Sequence, residues 1–245
     1  MNNTLNSGFL LVNKPVGVSS YGCIGRIKKI IYQSYQGSGR LKIKIGHAGT
    51  LDPFASGLLI VAVGREATRL ISNFMVMEKT YIATGKCGEL TDTLDCTGTI
   101  ISTADYIPSQ EEIRQSLESF GSSYEQIPPL YSALKHQGKP LYALARNKIM
   151  DTQDLEEIAN NKRRIIQIYD KKLLSYDAPF FTIQVRVSHG TYIRTLINDI
   201  ANRAGSCATT YHLCRTAIGQ FDLDQAIDVF QFNTIDDLNK HIVSI

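Results

Sequence analysis

The chain has 245 residues, 43% of them hydrophobic and 20% charged, with a formal net charge of +3 and a pI near 8.5. That length and composition suit one folded domain with a sizeable core and exclude a disordered chain. The longest apolar run, Leu58 to Val63, is far short of a membrane span, and Met1-Asn2-Asn3-Thr4 carries no basic stretch ahead of an apolar one, so a cytoplasmic protein with no membrane contact is expected.

The cysteines, Cys23, Cys87, Cys96, Cys207 and Cys214, are odd in number and lack any Cys-x-x-Cys spacing. Neither a disulfide framework nor a zinc ribbon is indicated. His212 with Cys214 is the tightest pair of metal donors, and the local sequence gives it no further ligand. The basic residues gather in three clusters: Arg26, Lys28 and Lys29; Arg40, Lys42, Lys44 and His47; Lys162, Arg163 and Arg164. Each reads alone as solvated surface, and together they favour an anionic partner.

In chain order, Phe9 to Val12 reads as a short buried strand. Ser19 and Ser20 are N-cap candidates for a helix on which Ile24, Ile27, Ile30 and Ile31 recur at helical spacing. Gly37-Ser38-Gly39 marks a loop, and the alternation in Leu41-Lys42-Ile43-Lys44-Ile45 predicts a half-buried strand that delivers the loop His47 to Asp52. Leu58 to Val63 predicts a buried strand closed by Gly64, followed by a short helix around Ala67 to Ile71. Lys79 to Thr84 predicts another strand, with Tyr81 near its start, and Thr91 to Gly98 is rich in turn residues.

Gln110 to Phe120 has helical periodicity. From about Gly121 to Lys148 the composition changes: Pro128-Pro129, Tyr131, Lys135, His136, Gly138, Lys139, Tyr142 and Arg146 interleave aromatics, bases and loop formers. Such a segment suits either a proline-punctuated surface loop or an exposed arm that touches RNA. Ile165 to Ile168 and Phe181 to Val187 alternate as strands. Thr191 is placed to cap a helix bearing Ile193, Leu196, Ile197 and Ile200, with Gly205 at its end and Arg194 in its first turn. Many strands and no regular β–α alternation predict an α+β fold, its central sheet mixed and mainly antiparallel.

Asp52-Pro53 reads alone as a helix start, with Asp capping and Pro at the first helical position. Its surroundings point elsewhere: Gly49 and Gly57 bracket it, His47 lies beside it, and a polar loop at a strand end is where sites tend to lie. There is no G-x-x-x-x-G-K-[ST] loop, no G-x-S-x-G elbow and no H-x-E with a downstream P-C-x-x-C.

His47-Ala48-Gly49-Thr50-Leu51-Asp52-Pro53-Phe54-Ala55-Ser56-Gly57-Leu58 closely resembles the motif around the catalytic aspartate of the TruB family of tRNA pseudouridine synthases. Asn13-Lys14-Pro15-x-Gly17-x-Ser19-Ser20 resembles its N-terminal motif, and Lys79-Thr80-Tyr81 its active-site tyrosine segment. Pro129 to Lys135 with Gly138 and Leu141-Tyr142 is similar to its RNA-gripping thumb insertion, and Gly190-Thr191-Tyr192-Ile193-Arg194-Thr195 to the segment with its active-site arginine. Leu213-Cys214-Arg215-Thr216 falls where the family ends its core. The matches run in order from about Gly8 to Ala226, and it is their combination that is specific.

The resemblance implies a pseudouridine synthase fold and an enzyme that isomerises uridine 55 in the T-loop of tRNA, acting on a flipped-out nucleotide without metal or organic cofactor. It implies Asp52 as catalyst, by covalent attack or by proton abstraction from the ribose. Arg194 would supply the counter-charge, and Tyr81 would stack on the uracil with its hydroxyl near the C5 proton. His47, Leu213, Lys14 and Tyr192 would contact substrate or support the site. The bland alternatives are a strand-edge role for Tyr81 and pairing of Arg194 with Asp199 along one helix.

One catalytic domain, 1–245, with an insertion at about 121–148, is expected. The family often has a second arginine where Cys214 stands, which puts one RNA or core contact in doubt. Core-like sequence ends near Phe230, and the roughly 15 residues beyond it are too few for the C-terminal PUA domain that often follows in the family. The partner implied is the T-arm of tRNA; no protein partner is implied, and a monomer is expected. Two alternatives are a relative acting on another RNA, as the dyskerin-type enzymes do, and a non-catalytic tRNA-binding protein or folding chaperone.

Overall fold

The computed structural model describes residues 5–35, 43–147 and 149–243. It opens with strand β1 (Gly8–Lys14), helix α1 (Ser20–Ser34) and strands β2 (Ile45–His47) and β3 (Ser56–Val63). Short helices α2 (Arg65–Arg69) and α3 (Ile71–Met75) lead to β4 (Lys79–Cys87). The hairpin β5 (Glu89–Thr91) and β6 (Ile100–Thr103) precedes α4 (Gln110–Glu118) and β7 (Ser123–Gln126). Next come β8 (Lys135–His136), β9 (Lys139–Pro140), α5 (Leu141–Arg146) and α6 (Thr152–Asn160). The long β10 (Arg164–Asp177), β11 (Phe180–Val187), α7 (Ile193–Arg203) and β12 (Ala208–Ile218) follow. The last elements are β13 (Phe221–Asp222), β14 (Ile227–Asp228) and α8 (Ile235–His241). Among the described residues no helix is long and apolar enough to cross a membrane.

The chain divides into two compact units, residues 1–81 with 214–245, and residues 82–213. In the first, β3 is central. β1 runs antiparallel along it, with Phe9 opposite Ala62 and Asn13 opposite Leu58. On its other edge, β2 pairs antiparallel with Val61 to Val63, and Cys214 and Arg215 of β12 pair parallel with Ser56 and Gly57. Period-two alternation divides β1 and β3 into two apolar faces. Leu10, Val12, Leu59, Val61 and Val63 pack with Ile24, Ile27, Ile30 and Ile31 of α1. Phe9, Leu11, Leu58, Ile60 and Ala62 pack with Ala67 and Ile218 on the opposite side. Helix α1 starts where expected, because the Ser19 hydroxyl accepts from Gly22 N at 2.9 Å.

In the second unit β10 pairs antiparallel with both β11 and β7. Phe181, Ile183, Val185 and Val187 of β11 are all buried, as their alternation predicts. Helix α4 begins with a capping box between Ser109 and Glu112, and Ser116 Oγ ties it to α7 by donating to Ile200 O at 2.6 Å. The α+β architecture with mixed, mainly antiparallel pairing is the one expected.

Several local expectations are corrected. The strand predicted from Leu41 begins only at Ile45 and includes His47, so His47 sits on a strand end; Leu41, Lys42 and Gly37 to Gly39 lie outside the described residues. Thr191 does not cap α7: its hydroxyl donates to Ser188 O, and the N-cap is Tyr192, with no side-chain capping bond. Leu141 and Leu144 of α5 form one apolar cluster with Leu155 of α6. The core does not end near Phe230 either. Phe232 and Leu238 are buried against β1 and α1, and Phe9 exchanges backbone hydrogen bonds with Val243.

Leu238 is fully buried, so Leu238→Ala is expected to lower stability by about 2–5 kcal/mol, read as a drop in urea midpoint at unchanged slope. A change within about 0.5 kcal/mol would place α8 outside the core.

Candidate active site

The segment from His47 to Leu58 links β2 to β3. Ala55 N donates to Asp52 O at 3.1 Å, closing a turn, and the chain then enters β3 directly. No helix follows Asp52-Pro53, so the helix-start reading is overturned. Pro53 is exposed, Leu51 and Phe54 are buried, and Asp52 itself is half-buried.

Remote side chains hold this turn by its backbone. Ser20 Oγ accepts from Leu51 N at 2.8 Å and donates to Leu51 O at 3.0 Å. Lys14 is fully buried, and its ammonium donates to Pro15 O, Val18 O, Pro53 O and Ala55 O, the last at 2.5 Å. Lys14 thus contacts the backbone of the turn that carries Asp52. Arg215, 1% exposed, donates through Nε to Leu58 O at 2.8 Å and through Nη2 to Gly49 O at 3.1 Å. The backbone is thereby fixed on both sides of Asp52. Gly57 explains why the bracket is glycine: its φ is +109°, and a Cβ there would run into the Arg215 backbone in the paired strand.

These buried cations set the electrostatics. Burial pulls the Lys14 pKa down to about 8, and the Arg215 charge works in the same direction; Cys23 and the Asp52 carboxylate oppose it. Lys79, which donates to Phe74 O, Met75 O and Met77 O, is likewise lowered to about 8 by burial and by Arg215. His47 is pushed down from its ordinary value by burial and then by Arg215, which keeps the ring neutral at pH 7. Its Nδ1 is buried and has no hydrogen-bond partner among the described residues. Tyr81, 9% exposed, takes an inward position on the alternating β4 strand.

In the second unit Arg194 is 4% exposed in the first turn of α7. Nη1 donates to Thr93 O at 2.5 Å and lies 3.5 Å from Asp95 Oδ2, and Nη2 donates to Tyr131 O at 2.9 Å. Asp199, the alternative partner along the helix, accepts instead from the Tyr124 hydroxyl. Asp95 organises the turn-rich loop: its Oδ1 accepts from Thr93 Oγ1 and from Thr97 N, each at 3.0 Å. Leu94 there has φ +60°, a left-handed conformation that costs a leucine energy; backbone bonds from Thr210 N to Leu94 O and from Cys96 N to Thr210 O hold it. Tyr192 lies under the Arg164 guanidinium, 5.1 Å from ring centroid to Cζ, and Leu213 is buried on β12.

The structure thus places Lys14, His47, Asp52 and Tyr81 in the first unit, with Lys14 clasping the Asp52 turn, and Tyr192, Arg194 and Leu213 in the second. Reading the sequence gave no site role to Ser20, Asp95 or Arg215, although Ser20 and Arg215 stand within the quoted motifs. For Arg215 the signal was alternation: Leu213 and Arg215 are buried while Cys214 between them is half-exposed. The basic clusters divide. Arg26 donates to Val229 O, Phe230 O and Phe232 O and so serves the fold, Arg163 pairs with Glu125 at 3.2 Å, and Arg40 and Lys42 lie outside the described residues.

Two outcomes are expected from this arrangement. Lys14→Met takes the ammonium from its buried contact with Ala55 O and should cost about 3 kcal/mol or more of unfolding free energy, measured in urea. For His47, the folded pKa lies below the unfolded value near 6.5, so the unfolded chain binds more protons between the two. Its contribution to stability is therefore complete above pH 6.5 and is lost as pH falls through the folded pKa. Urea midpoints at about pH 5 and about pH 7.5 should differ less in His47→Gln than in the wild type. An unchanged difference would remove His47 from the titrating set.

Comparison with known proteins bears on this site. Residues 38–193 match the model of the TruB family pseudouridylate synthase, N-terminal domain. The chain is 36% identical over 237 residues to a tRNA pseudouridine synthase B of Protochlamydia amoebophila, covering 96% of this chain and 83% of that protein. It is 42% identical over 241 residues to a tRNA pseudouridine synthase B of Bordetella avium, covering 97% and 91%. Among solved structures it resembles a chain of a Cbf5–Nop10–Gar1 complex, with a TM-score of 0.66 at 27% identity; the match covers 94% of this chain and 54% of that one. A family match over more than half the chain, with relatives this similar over nearly all of it, places the protein in the TruB family of pseudouridylate synthases.

Proposed function

We propose that this protein converts uridine 55 in the T-loop of tRNA to pseudouridine, with Asp52 as the catalyst acting on a nucleotide flipped out of the loop. The observation that carries the proposal is the Asp52 turn. Its backbone is held on both sides by buried Lys14, Ser20 and Arg215, which is a large outlay of buried polar groups for a loop with no other evident task. Family membership supports the reaction class, and the names of the relatives support tRNA as the substrate.

The reaction must break an N-glycosidic bond, turn the uracil and join its C5 to the same sugar carbon. An aspartate serves this either by attacking as a nucleophile or by abstracting a ribose proton, and both routes need a carboxylate held in a fixed direction. Fixing the backbone before and after Asp52 provides that direction. Tyr81 is proposed as the platform for the flipped uracil, with its hydroxyl helping to remove the C5 proton late in the reaction. A neutral His47 is proposed to support the RNA in its flipped form, which costs a few kcal/mol to reach. Arg194, Tyr192 and Leu213 enter as substrate-site residues on the family match, Arg194 as the charged member and Leu213 as an apolar contact to the base.

The deciding experiment is tritium release from tRNA labelled at uridine C5. Wild type should release label in proportion to pseudouridine formed, and Asp52→Asn should release none above background. Release by Asp52→Asn at the wild-type rate would remove Asp52 from the chemistry. No release by wild type would refute the enzymatic reading and leave a tRNA-binding or chaperone role.

A further inference from the structure

Gln126 ends β7 and is fully buried. Its amide pairs with the backbone of one residue in both directions. Tyr192 N donates to Gln126 Oε1 at 2.8 Å, and Gln126 Nε2 donates to Tyr192 O at 3.0 Å. The second hydrogen on Nε2 goes to the Tyr124 hydroxyl oxygen at 2.6 Å. Both amide hydrogens are used and the amide oxygen has its donor, so only one orientation of the amide satisfies the site. Tyr124 passes its own hydroxyl hydrogen on to Asp199 Oδ2 at 3.5 Å, and its ring stands edge-on to Phe120 at 4.9 Å between centroids. Each member of the chain is locked by the next.

Tyr192 is the N-cap of α7, and its own side chain makes no capping bond. Gln126, 66 positions away in sequence, fixes the backbone at the helix start from outside. Arg194 stands in the first turn of that helix. The segment after Gln126 returns to the same place: beyond Pro128-Pro129, Tyr131 O accepts from Arg194 Nη2 at 2.9 Å. The span from Gln126 to Tyr131 therefore holds the start of α7 at two points, the Tyr192 backbone and the Arg194 guanidinium. The two prolines have fixed φ and limit its flexing.

We propose that Gln126 is a positioning residue for Arg194, setting through the Tyr192 backbone the direction in which α7 presents the guanidinium. This rests on the reading of Arg194 as an active-site residue. Packing alone does not account for Gln126, since an apolar side chain of similar volume fills a core without desolvating an amide. Loss of the amide unpairs the Tyr192 N–H and leaves the Tyr192 C=O with the Leu196 N–H alone, so the tie from β7 to the first turn of α7 is gone, and displacements on the order of 1 Å in a catalytic constellation cost about 100-fold in rate.

The test uses the full chain carrying 15N-arginine, with the Arg194 Nε–Hε resonance assigned through Arg194→Lys. In wild type that resonance should be sharp and slow to exchange. In Gln126→Met it should broaden or exchange at least about 10-fold faster, while kcat for tRNA falls about 10- to 100-fold and KM stays within about 2-fold. Tyr124→Phe keeps the ring but releases the amide lock, and it should move the Arg194 resonance the same way with a smaller fall in kcat. If Gln126→Met does not fold, Tyr124→Phe carries the test alone. An unchanged Arg194 resonance in the folded variants overturns the proposal, whatever happens to kcat. A perturbed resonance with kcat unchanged also overturns it. A perturbed resonance in a protein whose wild type isomerises no uridine supports the positioning contact and refutes the proposed function instead.

Discussion

A single buried ammonium is the constraint on which the candidate site depends. Lys14 leaves the end of β1 and gathers carbonyls from two stretches of chain, Pro15 and Val18 on its own side and Pro53 and Ala55 on the other. Removing an ammonium from water costs several kcal/mol, and the cost is offset only if its hydrogens all find acceptors. Here the acceptors are main-chain carbonyls, so their positions are what the charge dictates. The turn bearing Asp52 cannot drift without stranding that charge. The Asp52 carboxylate also favours the charged form of Lys14, against the downward pull of burial. Arg215 repeats the device from β12, holding Gly49 and Leu58.

The second unit solves the converse problem. There the functional candidate is itself the cation, and the surroundings supply acceptors. Arg194 donates to two backbone carbonyls, Thr93 O and Tyr131 O, and sits 3.5 Å from the Asp95 carboxylate. Asp95 is in turn held by hydroxyl and amide donors of its own loop. A carboxylate fixed in this way orients the guanidinium without leaving either charge unpaired. Both units thus place a charged side chain at the end of a regular element and control it through backbone carbonyls contributed by distant residues.

That reliance on carbonyls explains what was legible in the sequence. Strands β1, β3 and β11 and helices α1 and α7 were readable because they bury whole faces, and alternation or i, i+3, i+4 spacing records which residues face inward. The turn at Asp52 misled when read alone, because Asp-Pro is a good helix start. The chain did not continue as a helix because Phe54 and Ala55 lead straight into Ser56–Val63, whose seven successive buried residues belong to a sheet. Thr191 failed as a cap because α7 starts only at Ile193, which makes Tyr192 the N-cap and leaves Thr191 one residue before it. The roles of Arg215 and Gln126 were invisible because their partners are main-chain atoms, which every residue possesses and no sequence pattern marks. The family resemblance pointed to Asp52, Tyr81 and Arg194 but not to the groups that hold them.

The position at which the chain departs from its family shows why placement outweighs identity. Cys214 stands where the motif resemblance leads one to expect a second arginine, which put an RNA or core contact in doubt. Along a strand, neighbours face opposite ways. Leu213 and Arg215 face inward, and Cys214 is left partly exposed between them. The cation that supports Gly49 and Leu58 is Arg215, and the substitution at Cys214 does not reach it. Moving the arginine by one residue would be a different matter, since it would turn the guanidinium to the other face and take its hydrogen bonds from Leu58 O and Gly49 O on either side of the Asp52 turn. A half-exposed cysteine is therefore compatible with an intact turn, whereas the loss of Arg215 would take the side-chain donor from Gly49 O and Leu58 O and loosen it.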